Sequence, residues 1–93
     1  MNLDFNLNQD RWVAEFVATA SFNLHVEGVN EGNVSVFQRG CEEGNYAFVR
    51  GSVPFPSLNT NVYDYDFPAE VYPKYIRVSC ATKPTMAVVT FAK

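Results

Sequence analysis

Three groups of residues have the chemistry to do something. His25 is the only histidine in the chain, and its imidazole titrates near neutral pH, so it could serve as a general base or a metal ligand. It stands in the run SFNLHVE, where it shares a polar face with Ser21, Asn23 and Glu27. Zinc sites draw on several strong donors, and no second histidine exists, so His25 reads as a surface residue. Asp64 and Asp66 are one residue apart and would share a face of a strand. Two carboxylates so placed could hold a hard cation or act as an acid/base pair. The spacing of an EF-hand loop is missing, so they read as solvated acids.

The third group is aromatic. Tyr63, Tyr65, Tyr72 and Tyr75, with Phe55 and Phe67, gather in or beside one stretch, residues 51–69. Exposed rings stack on sugars or anchor a protein partner, while the same rings could close one end of a core. The candidate binding residues drawn from these groups are Phe55, Tyr63, Asp64, Tyr65 and Tyr72.

No catalytic constellation accompanies them. A serine, threonine or cysteine nucleophile needs an oriented base, and the chain has no G-x-S-x-G, no paired Cys and His and no phosphate-binding glycine loop. The expectation is a protein that is not an enzyme, with no cofactor and no metal. A small hydrolase using Asp64 and Asp66 is the weaker alternative. Cys41 and Cys80 match no zinc spacing. They read as two reduced thiols, Cys80 being a small buried hydrophobe.

The elements that would position these residues are strands. In YPKYIRVSCA, residues 72–81, the alternation sends Ile76, Val78 and Cys80 to one face and Tyr75, Arg77 and Ser79 to the other. Residues 2–8 alternate with Leu3, Phe5 and Leu7 inward. The run RWVAEFVAT, 11–19, suits helix by its alanines and strand by its Trp, Val, Phe and Thr. Strand is preferred, with Trp12 and Phe16 in the core. Residues 21–27 alternate cleanly, and GVNEGN has the glycine and asparagine content of a hairpin loop. Further strands are expected at 34–39, 46–50 and 74–81. Residues 51–69 carry three prolines and read as a long loop, with a short strand around Val62, Tyr63 and Tyr65. The final run MAVVTFA, 86–92, is apolar on both faces, which predicts either a central strand or one whose outer face a partner covers. The expected core also includes Phe22, Leu24, Val34, Val36, Phe48 and Val88.

Short strands at regular spacing with glycine-rich turns predict an all-β fold: a single-domain antiparallel β-sandwich of about seven or eight strands, with a jelly roll as one arrangement. The chain has 93 residues, 47% of them hydrophobic, 15% aromatic and 18% charged, a globular composition. Its formal net charge is −3, and its seven Lys and Arg residues are scattered. Nucleic-acid binding depends on neutralising phosphates, so no nucleic-acid partner is expected. No apolar run approaches the ~20 residues that span a bilayer, and no membrane partner is expected. The first dozen residues lack the pattern of a signal peptide, so synthesis without export is expected.

The ending EVYPKYIRVSCATKPTMAVVTFA, residues 70–92, resembles the closing half of several jelly-roll modules. Sugar-binding modules of the discoidin type end similarly, and so do small virion decoration and fibre-base proteins of bacteriophages. The resemblance covers about the last third of the chain and rests on pattern, so no family residue is transferred. It implies a structural or interaction module of the virion kind that forms homo-oligomers, or else a carbohydrate-binding module using the aromatic residues of 51–69.

Overall fold

Alternating apolar positions pay off only when each strand finds neighbours for its backbone and an opposing layer for its apolar face. The computed structural model describes residues 1–29, 34–51, 62–67 and 73–92. Among the described residues there are eight strands and no helix: β1 (Asn6–Asn8), β2 (Arg11–Ala18), β3 (Phe22–Glu27), β4 (Val34–Arg39), β5 (Ala47–Gly51), β6 (Val62–Phe67), β7 (Lys74–Cys80) and β8 (Met86–Phe91). They form a five-stranded sheet in the order β1-β2-β7-β4-β5 and a three-stranded sheet in the order β6-β3-β8. Every pairing is antiparallel.

The pairings nest. β4 pairs with β5, β3 with β6 and β2 with β7. Outside them, Asn2 bridges Val88 in β8. This is one long hairpin folded across itself, which then brings β4 against β7 and β3 against β8. The resulting order, β2-β7-β4-β5 facing β6-β3-β8 and the first residues of the chain, is that of a jelly roll. The N-terminal segment binds both sheets. The Met1 ammonium donates to the Val89 carbonyl at 2.9 Å, Val89 N donates to Met1 O, and Leu3 N donates to Ala87 O. After buried Phe5, the chain crosses to pair as β1 with β2.

The segment 11–19 is a strand, as its β-branched and aromatic residues suggest. Its register sets Ala14 opposite Val78 and Phe16 opposite Ile76. Leu24, Val26, Val29, Val34, Val36, Val78, Val89 and Cys80 form the driest part of the core. Full burial of an aliphatic side chain contributes about 1.5–3 kcal/mol, so these residues dominate stability. One end of the core is aromatic. Phe22 stacks on Phe67 with centroids 4.8 Å apart, Phe16 meets Phe22 edge-on at 5.3 Å, and Tyr65 meets Phe67 edge-on at 4.8 Å.

Several expectations need correction. Leu7 is exposed, because the regular part of the first segment shrinks to β1 at the edge of the larger sheet. Trp12 and Phe16 pack against the core but are only half-buried, while Ala14 and Ala18 on the same side of β2 are buried. In the final strand Ala87 and Val89 are buried and Val88 is not, since β3 sets Leu24 opposite Val89 and Val26 opposite Ala87. β8 ends the three-stranded sheet, with residues 1–3 hydrogen-bonded along its other edge. Phe48 is 61% exposed. Phe48 lies opposite Phe37 on the side of β5 that faces away from the second sheet, so no layer covers it. The short strand expected around Val62, Tyr63 and Tyr65 is present as β6, extended to Phe67.

Candidate functional site

The residues singled out in β6 divide by parity. Tyr63 is buried at 4% exposure and Tyr65 packs against the core beside Phe67. Buried Tyr63 presents no ring face for stacking, which corrects its assignment as a binding residue, and Tyr65 is half-buried: odd positions of β6 turn inward. Phe55 and Tyr72 lie outside the described residues. Asp64 and Asp66 are exposed on the outer side of β6. They do not form a free pair, because Asn23 Nδ2 donates to Asp64 at 2.7 Å and to Asp66 at 2.8 Å. His25, expected to be a solvated surface residue, lies between Asp64 and Glu27, each 2.6 Å from a ring nitrogen. No group of residues suited to a metal ion occurs among the described residues.

The more distinctive surface is the outer face of the five-stranded sheet. Register builds it in rows. Glu15 of β2 lies opposite Arg77 of β7, Arg77 opposite Phe37 of β4, and Phe37 opposite Phe48 of β5. A second row runs Val17, Tyr75, Arg39. Tyr46, just before β5, lies over both rows. The Arg77 and Arg39 guanidiniums lie 4.2 and 4.4 Å from its ring centroid, and its hydroxyl donates to Glu15 Oε2 at 2.7 Å. Arg77 also donates to the same carboxylate oxygen at 3.1 Å. Phe37 and Phe48 meet edge-on at 5.7 Å.

Electrostatics follow from these contacts. The Tyr46 hydroxyl, and then Arg77, hold the Glu15 carboxyl below its usual range. Burial, and then the bond to Glu15, push the Tyr46 phenol above its own. Glu15 is therefore a fixed anion that orients a tyrosine and an arginine. Such charge-assisted bonds hold side chains in place at the surface. Arg11 extends the face by donating through Nη2 to the Ser79 carbonyl at 3.0 Å, and Ser79 is buried. Arg39 donates to Gly44 O at 3.2 Å.

Beside this platform lies a shallow groove of about 420 Å³, lined by Asn8, Gln9, Arg11, Phe37, Tyr46 and Arg77 among others. The β1–β2 hairpin forms its rim, with Gln9 at φ 57°. Phe48 and Val17 are the exposed apolar positions of this face, at 61% and 45%.

Comparison with protein-family models, with curated proteins and with solved structures finds no match.

Sequence reasoning missed this face. Phe37, Arg39, Tyr46 and Arg77 lie on three separate segments, and only the pairing of β4 with both β5 and β7 unites them. The available signal was the alternation in β7, which sends Tyr75 and Arg77 to the side opposite the core.

Proposed function

We propose that this protein is a non-enzymatic interaction module that self-associates through the outer face of its five-stranded sheet. One observation carries the reading: Phe48 is 61% exposed at the margin of a row of fixed aromatic and arginine side chains. Tyr, Trp, Phe and Arg are enriched in protein interfaces, because they bring large contact area and directed hydrogen bonds with little entropy left to lose. Here the arginines and tyrosines are held by one another before any partner arrives, which lowers the cost of binding. β5 ends its sheet among the described residues. A second copy related by a two-fold axis could set its β5 antiparallel to the first, continuing the sheet and bringing the two Phe48 rings into one apolar patch. The virion setting implied by the ending of the chain belongs to the same proposal, and flanking capsid or tail genes would support it.

Light scattering during size-exclusion tests the reading. The wild type is expected to increase in mass with concentration, and Phe48→Asp to stay monomeric with unchanged stability. A wild type that is monomeric at the highest concentration overturns it.

A second reading has its own observation. The groove beside Tyr46 combines a ring with Arg11, Arg77, Asn8 and Gln9, the mixture of aromatic and polar groups that sugar sites use. On this reading the module binds carbohydrate there. Glycan-array binding lost on Tyr46→Ala would favour it, and a silent array would remove it.

A further inference from the structure

The outer side of the three-stranded sheet carries a separate set of charged groups that the proposed binding face does not use. On β3 the outward residues are Asn23, His25 and Glu27, and on β6 they are Val62, Asp64 and Asp66. On β8 they are Met86, Val88 and Thr90, none of them charged. His25 is thus the one basic side chain at these positions, facing Asp64, Asp66 and Glu27.

Both of its ring nitrogens are engaged. Nδ1 lies 2.6 Å from Asp64 Oδ2 and Nε2 lies 2.6 Å from Glu27 Oε2. A neutral imidazole has one N–H, and its other nitrogen carries a lone pair. At 2.6 Å that lone pair would face a carboxylate oxygen and repel it. Only the imidazolium can donate to both. Asn23 adds a tie across the same strands that does not titrate, donating to Asp64 and Asp66, so His25 supplies the pH-dependent part of the attachment. β6 is an edge strand whose backbone pairs with β3 alone among the described strands, so a side-chain tie across that pair bears on whether β6 stays attached.

We propose that His25 is a proton-operated clasp: as the imidazolium it fastens the edge strand β6 to β3 through Asp64, with Glu27 as the second anchor, and loss of the proton loosens β6. Hydrogen bonding to Glu27 first, and then to Asp64, raises the His25 pKa. The bond from Asn23 first, and then that from His25, lowers the pKa of Asp64. A histidine whose folded pKa is raised contributes stability that is fully present below the unfolded value, about 6.5. That stability is lost as pH rises through the higher folded value. The clasp is therefore closed below about pH 6.5 and opens as pH rises through the higher folded value. The side chains of His25, Glu27 and Asp64 are 29%, 40% and 51% exposed, so salt should weaken the tie.

Two measurements on the intact chain test this. The first is the titration of the His25 ring by NMR. The midpoint is expected above 6.5 in the wild type and to return towards about 6.5 when Glu27→Gln and Asp64→Asn are combined. The second is hydrogen exchange of the β6 amides, corrected for the intrinsic effect of pH. Protection should fall at least about threefold from pH 6 to pH 8.5 in the wild type, and stay level in His25→Gln. Glu27→Gln keeps the imidazole and should show a reduced fall, which serves if His25→Gln does not fold. A wild-type midpoint at or below 6.5 overturns the clasp. So does protection that does not change with pH, or that changes equally in the wild type and the variants.

Discussion

Gly28 sits where β3 hands the chain to the following loop, and a single methyl group there should be costly. Its φ is +86°, a conformation that costs an L-residue roughly 1–2 kcal/mol. Space is the second obstacle. An added Cβ would overlap Thr85 Oγ1 and stand 2.7 Å from both Thr85 Cγ2 and Thr85 N. The side chain could rotate away, but the backbone nitrogen is held, since it donates to the Glu27 carbonyl at 2.9 Å. Moving it would sacrifice a hydrogen bond worth about 1 kcal/mol. Together these place Gly28→Ala at about 2–4 kcal/mol, against a total stability of roughly 5–14 kcal/mol for a domain of this length. Urea unfolding followed by Trp12 fluorescence measures it, with the slope against denaturant unchanged if only stability is affected. Combining Gly28→Ala with Thr85→Ala removes the side-chain overlap but leaves the positive φ and the conflict with the Thr85 backbone nitrogen, so most of the loss should remain. A Gly28→Ala protein within about 0.5 kcal/mol of the wild type would refute the reasoning.

Other outcomes follow from burial. Leu24 is fully buried in the central strand of the smaller sheet, so Leu24→Ala should cost about 3–5 kcal/mol by denaturant unfolding. Phe48→Ala, on an exposed side chain, should cost under about 1 kcal/mol in the monomer despite the larger residue removed. Of the two free thiols, Cys41 is exposed and Cys80 is buried, and burial lifts the Cys80 pKa to about 11. A thiol reagent should therefore titrate one group in the native protein and a second only after unfolding. Two fast-reacting thiols in native buffer would contradict the placement of β7.

The strands were legible wherever only one face is apolar. In β3, Phe22, Leu24 and Val26 against Asn23, His25 and Glu27 admit one orientation, and the structure has it. In β8 both faces are apolar, so the pattern carries no phase, and the inward pair had to come from its neighbour β3. Phe48 misled for a related reason: its hydrophobicity is real, but its register opposite Phe37, next to the shift between Val36 and Phe37, puts it on the outer side of its sheet. The β6 aromatics were foreseen as either binding rings or the closure of a core, and their position opposite β3 makes Tyr63 and Tyr65 core. Of the Tyr46, Arg39 and Arg77 platform, only the outward side of Arg77 was legible, from the alternation in β7. The rest needs the nested pairing of β4, β5 and β7, which residue spacing along one chain does not encode.

The proposal that the outer face of the five-stranded sheet is where this molecule meets a second copy has a direct test in the concentration dependence of its amide NMR spectrum. Dilution should move the resonances of Phe37, Arg39, Tyr46, Phe48, Val49 and Arg77 together and leave Asn23, His25 and Asp64 in place. Spectra unchanged by concentration, or changes confined to the three-stranded sheet, would contradict it.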